Sequence, residues 1–179
     1  MGNATFNSVL GTGLFLLLIV AAAQVSVSLP SSVSGIPFTA QSLVVFISAC
    51  YLRPWSFAVC IVLYMGMGIA GLPVFAGGAS GIDVITGNTG GFLYGFLFSG
   101  LFISTSGVKD KAPQFLALLN LMIQATLVLF FFGLVHLSFK TSITSAVEYG
   151  FLPFWKMALV KAILAATIVY LVNLQLKKH

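Results

Sequence analysis

Residues Gly81–Phe96 read GIDVITGNTGGFLYGF. The stretch sets several glycines, an Asp, an Asn and two Thr inside a chain that is 59% hydrophobic and only 6% charged. One of the chain's three acidic residues, Asp83, stands in it. A soluble domain carries about 25% charged residues, so this chain cannot build a water-facing surface and its solvent is lipid. The polar stretch then needs its own explanation. Its glycines and Asn permit left-handed turns and close backbone approach. Non-helical backbone near membrane depth survives only where protein covers it or where it lines a cavity. The stretch therefore points to a small-molecule pocket beneath a folded-down loop.

Outward from it, apolar runs alternate with polar punctuation. Six candidate helices cover about residues 9–28, 40–52, 55–72, 90–107, 113–137 and 154–174. At roughly 20 apolar residues per span, the 179 residues suit one all-α integral membrane domain of six transmembrane helices, residues 1–179. The second run is short, and the fifth is long enough to tilt. YLRPW and GVKDKAP are short basic connections, whereas LPSSVSGIPFT, PVFAGGASGIDVITGNT and SFKTSITSAVEYGFLP are long and nearly uncharged. Arg53, Lys109, Lys111, Lys177 and Lys178 fall on one side, against Lys140 and Lys156 on the other. Positive residues collect on the cytoplasmic face, which predicts cytoplasmic termini and three long outer loops, in a multi-pass protein of the inner (plasma) membrane surrounded by lipid.

The apolar GLFLLLIVAAAQ run resembles a leader, but no Lys or Arg precedes it; the first basic residue is Arg53. A cleaved signal needs a positive leader region, so the run is expected to stay as the first helix. The net charge of +5 is scattered without a basic stripe, which argues against a nucleic-acid partner. Cys50 and Cys60 lie in or beside apolar runs without CxxC spacing or a nearby His, as buried thiols do.

Lys161 is the most informative single residue. Eight residues into the last helix from Pro153, at 1.5 Å each, it lies roughly 12 Å deep. Snorkelling by about 6 Å leaves it short of full hydration, and an unpaired membrane lysine costs about 2.5–3.5 kcal/mol. It should face the bundle interior and meet an anion or strong acceptor: a ligand, or a structural partner such as Glu148 or Asp83. Lys156 is about 140° round the helix and, beside Trp155, reads as an interfacial anchor. Asn88, Thr89, Gly90 and Gly91 open the fourth helix, where free N–H groups offer hydrogen bonds to a ligand; a plain helix cap accounts for Asn88 or Thr89 as well. Thr39 and Gln41 open the second helix from the same face. Gln41 both donates and accepts, which suits an amide-like ligand or a local cap. Phe75 and Ile85 are placed to cover an apolar ligand, and Tyr94 follows in the same glycine-rich block. GMGIAG at Gly66–Gly71 has the GxGxxG form but follows no strand, so it reads as close packing through small residues. His136 has no acid nearer in sequence than Glu148. No metal or catalytic motif is present, no cofactor is implied, and an enzyme is not expected.

The blocks AAAQVSVSLP, GIPFTAQSL, YMGMGIAGLPVFAGGASG, GNTGGFLYGF and LVKA together resemble BioY, the biotin-binding S component of energy-coupling factor (ECF) transporters. The resemblance spans nearly the whole chain. It implies six helices and a biotin pocket on the outer side. It also implies a transmembrane coupling protein and two ATP-hydrolysing subunits as partners. Two positions depart from the family pattern: Asn88 stands where proline is common, and Ala158 stands where an acid usually precedes the lysine. Either another acid, Asp83 foremost, replaces the missing carboxylate, or the preference shifts to another vitamin or a biotin precursor. A ligand-free structural membrane protein is the reading from another class.

Overall fold

The computed structural model describes residues 2–27, 36–107 and 114–176. The chain runs through α1 (Gly2–Gln24), a two-stranded ribbon of β1 (Ser26–Val27) and β2 (Phe38–Thr39), then α2 (Gln41–Tyr51) and α3 (Pro54–Ile69). After a loop come the one-turn α4 (Ile82–Thr86), α5 (Gly90–Thr105) and α6 (Phe115–Lys140). A single turn, α7 (Ile143–Ser145), and a π-helical turn at Ala146–Phe151 lead into α8 (Trp155–Leu176). The strands pair antiparallel, with Ser26 opposite Thr39 and Val27 opposite Phe38.

The helix ends follow local chemistry. Pro54 occupies the first position of α3, where a missing N–H costs nothing, and it forces α2 to stop short of it. The run expected to reach residue 72 ends at Ile69, because Gly71 takes a left-handed φ of 96°, a common helix terminator. The first helix, expected to reach Ser28, ends at Gln24 instead. From Val25 onward the backbone pairs outward, Val25 O accepting from Ala40 N–H at 3.3 Å. The last residue of that expected span, Ser28, lies outside the described residues, as does Pro113 at the start of the fifth. So do Lys109, Lys111, Lys177 and Lys178, on which the orientation argument rests.

Among the described residues the architecture is all-helical apart from the small ribbon. A hydrocarbon core of about 30 Å needs some 20 helical residues. Two helices meet that alone: α6, with 26 residues and mean hydropathy 2.2, and α8, with 22 residues and mean hydropathy 2.0. Only 33% and 22% of their apolar windows are buried inside the protein, so neither is the core helix of a soluble domain. The apolar portion of α1, Ser8–Gln24, and helices α2, α3 and α5 are shorter. Leu17, Leu127 and Phe139 are 67%, 62% and 86% exposed. In water such continuous apolar surface would aggregate; in lipid it is the expected exterior of a membrane protein.

Inside, small residues set the spacing. A Cβ on Gly91 would lie 2.6 Å from Phe132 O, and one on Gly95 would lie 2.9 Å from Leu129 O. The α5 backbone therefore rests directly on α6, an approach only glycine allows. Phe57 fills the notch at Gly100 in the same way. Cys50 and Cys60 are buried and free, and Cys60 Sγ lies 3.7 Å from Thr12 O.

Candidate ligand-binding site

A cavity of about 250 Å³ opens where β2, the start of α2, the loop after α3, and helices α5, α6 and α8 converge. Its walls are mostly apolar. Phe38 of β2 stacks on Phe154 ahead of α8, with centroids 4.3 Å apart and planes 18° from parallel. Phe96 of α5 and Leu129 of α6 also line the cavity. Phe75 supplies a third aromatic wall. It is 1% exposed and sits edge-on to Tyr64 at 5.5 Å and 87°.

The loop carrying Phe75 is tied to α1 and α3 and braced by a bond of its own. Gln24 at the end of α1 donates to Pro73 O and Phe75 O, at 3.3 and 3.4 Å. Gly81 N–H donates to Gly68 O at 2.7 Å, and Phe75 N–H to Ala79 O at 3.0 Å. The tight reversal at Gly77 and Gly78 requires φ values of 65° and 78°, which favour glycine. Gly68 gives the Phe75 ring its seat, since a Cβ there would come within 2.0 Å of Phe75 Cζ. Small residues in GMGIAG thus admit a close neighbour, and that neighbour is a loop aromatic. Further on, His136 Nε2–H donates to Gly87 O at 2.9 Å, and Thr89 Oγ1 to Val84 O at 3.2 Å.

The polar residues gather at one end. Lys161 Nζ donates to Thr39 O at 2.6 Å and, more weakly, to Ser42 Oγ at 3.4 Å. An ammonium has three N–H donors, so one remains for the cavity. Gln41 is 4% exposed, and its amide nitrogen donates to Tyr64 Oη at 2.5 Å. Lys156 takes no part in the lining; its Nζ lies over the Trp155 ring, 5.6 Å from the centroid.

Of the residues singled out in the sequence, Thr39, Gln41, Phe75, Thr89 and Lys161 line the cavity, and Asp83, Asn88, Gly90, Gly91 and Tyr94 do not. Asp83 lies in the first turn of α4, exposed, as is Glu148 on the π-helical turn. Among the described residues neither carboxylate pairs with Lys161, whose partners are a backbone carbonyl and a hydroxyl. The N–H of Gly90 is already committed to Gly87 O at 3.1 Å, and Gly91 is spent on the contact with α6. Tyr94 turns to His136, its ring centroid 6.0 Å away. Ser42, Phe38 and Phe154 line the cavity without having stood out in sequence. Ser42 directly follows Gln41, so its proximity to Lys161 rests on the helix pairing of α2 with α8. Ala158, one turn before Lys161, also lines the cavity.

The model of the BioY family matches residues 1–178. The biotin transporter BioY of Thermotoga maritima is 34% identical over 167 residues, covering 93% of each chain. Biotin transporter BioY2 of Lactococcus lactis subsp. cremoris is 36% identical over 155 residues, covering 83% of each. Among solved structures, the S-component for biotin from an ECF-type ABC transporter superposes with a TM-score of 0.84, over 100% of this chain and 95% of that one. At 22% sequence identity that likeness is one of fold.

Proposed function

Because the chain belongs to the BioY family, we propose that it binds biotin in this cavity and serves as the substrate-binding S component of an ECF transporter. It is a membrane transport protein and not an enzyme. The observation that carries the ligand reading is Lys161: a cation in an apolar cavity, held by Thr39 O and Ser42 Oγ, with an N–H left over for a ligand acceptor. Biotin matches what surrounds it. Its bicycle needs apolar walls, such as Phe38, Phe154 and Phe75 provide, and its ureido group needs a donor and an acceptor close together. Thr39, Gln41, Phe75, Thr89 and Lys161 are the residues proposed to contact it.

In this reading the six helices form one domain crossing the plasma membrane, with both termini in the cytoplasm and the cavity near the outer face. Shorter helices cross by tilt, local bilayer thinning and contact with partners. The partners are a transmembrane coupling protein and two ATPase subunits, which supply the energy for release inside. Equilibrium binding of labelled biotin to the purified protein tests the assignment. Saturable binding at nanomolar concentration is expected; none at micromolar concentration removes biotin as the ligand.

Ala158 favours a second reading. It lines the cavity beside Lys161, at the position where the resemblance implies an acid. A related vitamin or a biotin precursor, lacking the group that acid would hold, then becomes the ligand. Competition of labelled biotin by such compounds separates the two readings.

A further inference from the structure

Tyr64 has the largest fully buried side chain among the described residues, with 0% exposure. Its hydroxyl touches two polar groups: Gln41 Nε2 at 2.5 Å and Val74 O at 3.1 Å. A phenol carries a single hydrogen, and a carbonyl oxygen can only accept. The contact with Val74 therefore takes the Tyr64 hydrogen, and Tyr64 Oη must act as acceptor toward Gln41. Only the NH2 end of the Gln41 amide can satisfy it. The reverse orientation would set two acceptors against a single hydrogen and leave one buried oxygen unpaired, an unfavourable arrangement.

The relay thus runs in one direction, from Gln41 N–H to Tyr64 O–H to Val74 O, and it fixes the amide of Gln41. The opposite end of that amide, Oε1, has no hydrogen-bond partner among the described residues. It is not among their sealed, unpaired atoms either, since Tyr51 Oη alone falls there. The side chain is 4% exposed and lines the cavity, and the relay leaves Oε1 as the end of the amide that Tyr64 does not engage.

We propose that Tyr64 is a positioning residue which, through its relay to Val74, holds Gln41 Oε1 toward the cavity as an obligate acceptor for a ligand N–H. This inference rests on the biotin reading, where the donor is a ureido N–H. Lys161 offers a donor and Gln41 an acceptor on the same polar end, so the site selects a ring that carries N–H beside C=O. A lactone or carbonate of the same shape, without N–H, meets an unanswered oxygen and is rejected. Because Val74 adjoins Phe75 on the tied-down loop, the specificity of the pocket is coupled to the loop's position.

The test is a double-variant cycle on the detergent-purified full chain, read by equilibrium binding of labelled biotin. Thermal unfolding serves as a check that each variant is folded. Gln41→Leu and Tyr64→Phe are each expected to weaken binding roughly tenfold. The double variant is expected to bind no more weakly than Gln41→Leu alone, because Tyr64 has no amide left to orient. A merely structural tyrosine would instead weaken binding by the same factor in both backgrounds, and that result, or no effect of Tyr64→Phe on its own, overturns the relay. If Tyr64→Phe alone fails to fold, comparing the double variant with Gln41→Leu still decides, since the partnerless amide is gone from both. Failure of the unchanged protein to bind biotin defeats the ligand assignment and the relay together. Binding by the unchanged protein with additive variants defeats the relay alone.

Discussion

Substituting alanine for Gly68 tests whether the aromatic wall is set by one missing methyl group. A Cβ at this position would come 2.0 Å from Cζ and 2.2 Å from Cε2 of Phe75. Carbon atoms settle at about 3.5–4.0 Å, so the ring must withdraw by roughly 1.5 Å. It has no slack on its own side, being 1% exposed and packed on Tyr64. Phe75 also lines the cavity, so displacement of its ring toward that space narrows a volume of about 250 Å³. Overpacking of this kind costs about 1–3 kcal/mol, and for a chain of this size each kcal/mol lowers Tm by about 2–4 °C. Biotin affinity should fall roughly tenfold, equivalent to about 1.4 kcal/mol. Gly66→Ala is the matched control, since a Cβ there meets nothing within 4 Å; it should leave both quantities unchanged. The assay is thermal unfolding with and without biotin, alongside equilibrium binding. If Gly68→Ala matches its control in Tm and affinity, Phe75 is not seated on α3 as described and the wall is made some other way.

Lys161→Met should leave the protein inserted and folded while weakening biotin binding about ten- to hundredfold, the value of one charge-assisted hydrogen bond of about 1.5–3 kcal/mol; unchanged affinity would make this lysine structural. Ala158→Asp places a carboxylate one turn from Lys161, where the two side chains can touch, and should change affinity for biotin measurably; an affinity equal to the parent's would show that the position does not face the ligand. Cysteines introduced at Ser80 and Thr144 should react with impermeant reagent from outside, against a silent background because Cys50 and Cys60 are buried; labelling of Ser80→Cys only from inside would overturn the proposed orientation. Hydrogen exchange at Phe75, Gly78 and Gly81 should slow when biotin is added, as the loop settles on its ligand; exchange that ignores biotin would count against a capping role.

Much of the frame is legible in the sequence because long apolar helices leave an unmistakable trace. The runs that became α6 and α8 are read within a few residues, and the depth argument picks out Lys161 as an oddity on composition alone. The partners of that lysine are less accessible. Thr39 contributes a backbone carbonyl, which no side-chain pattern announces, and Ser42 is an ordinary hydroxyl until α2 is packed on α8. Asp83 draws notice because acids are scarce here, yet scarcity carries no information about direction, and α4 leaves it exposed. The glycines at 90 and 91 are ambiguous for a physical reason: the absence of a Cβ serves a helix N-terminus facing a ligand and a backbone resting on another helix equally well. Only the position of α6 decides between these uses. Tyr64 gives no local signal, since the role proposed for it depends on an amide nitrogen and a carbonyl oxygen that the fold brings to its hydroxyl.

The glycine contacts between α5 and α6 bear on how such a cavity can change. At Gly91 and Gly95 the α5 backbone meets the α6 backbone directly, with Phe98 stacked on Phe132 beside it, and close-packed interiors transmit displacement in place of absorbing it. Phe96 and Leu129, which line the cavity, are each rooted in one of these two helices. One half of the cavity is accordingly a fixed gauge against which a ring is measured. In the proposed reading, adjustment on filling and emptying falls to the other half, where Phe75 stands on a loop fastened by a handful of hydrogen bonds. In that reading, a ligand too large for the fixed half would meet a floor that does not yield, so size discrimination would sit there and adjustment in the loop.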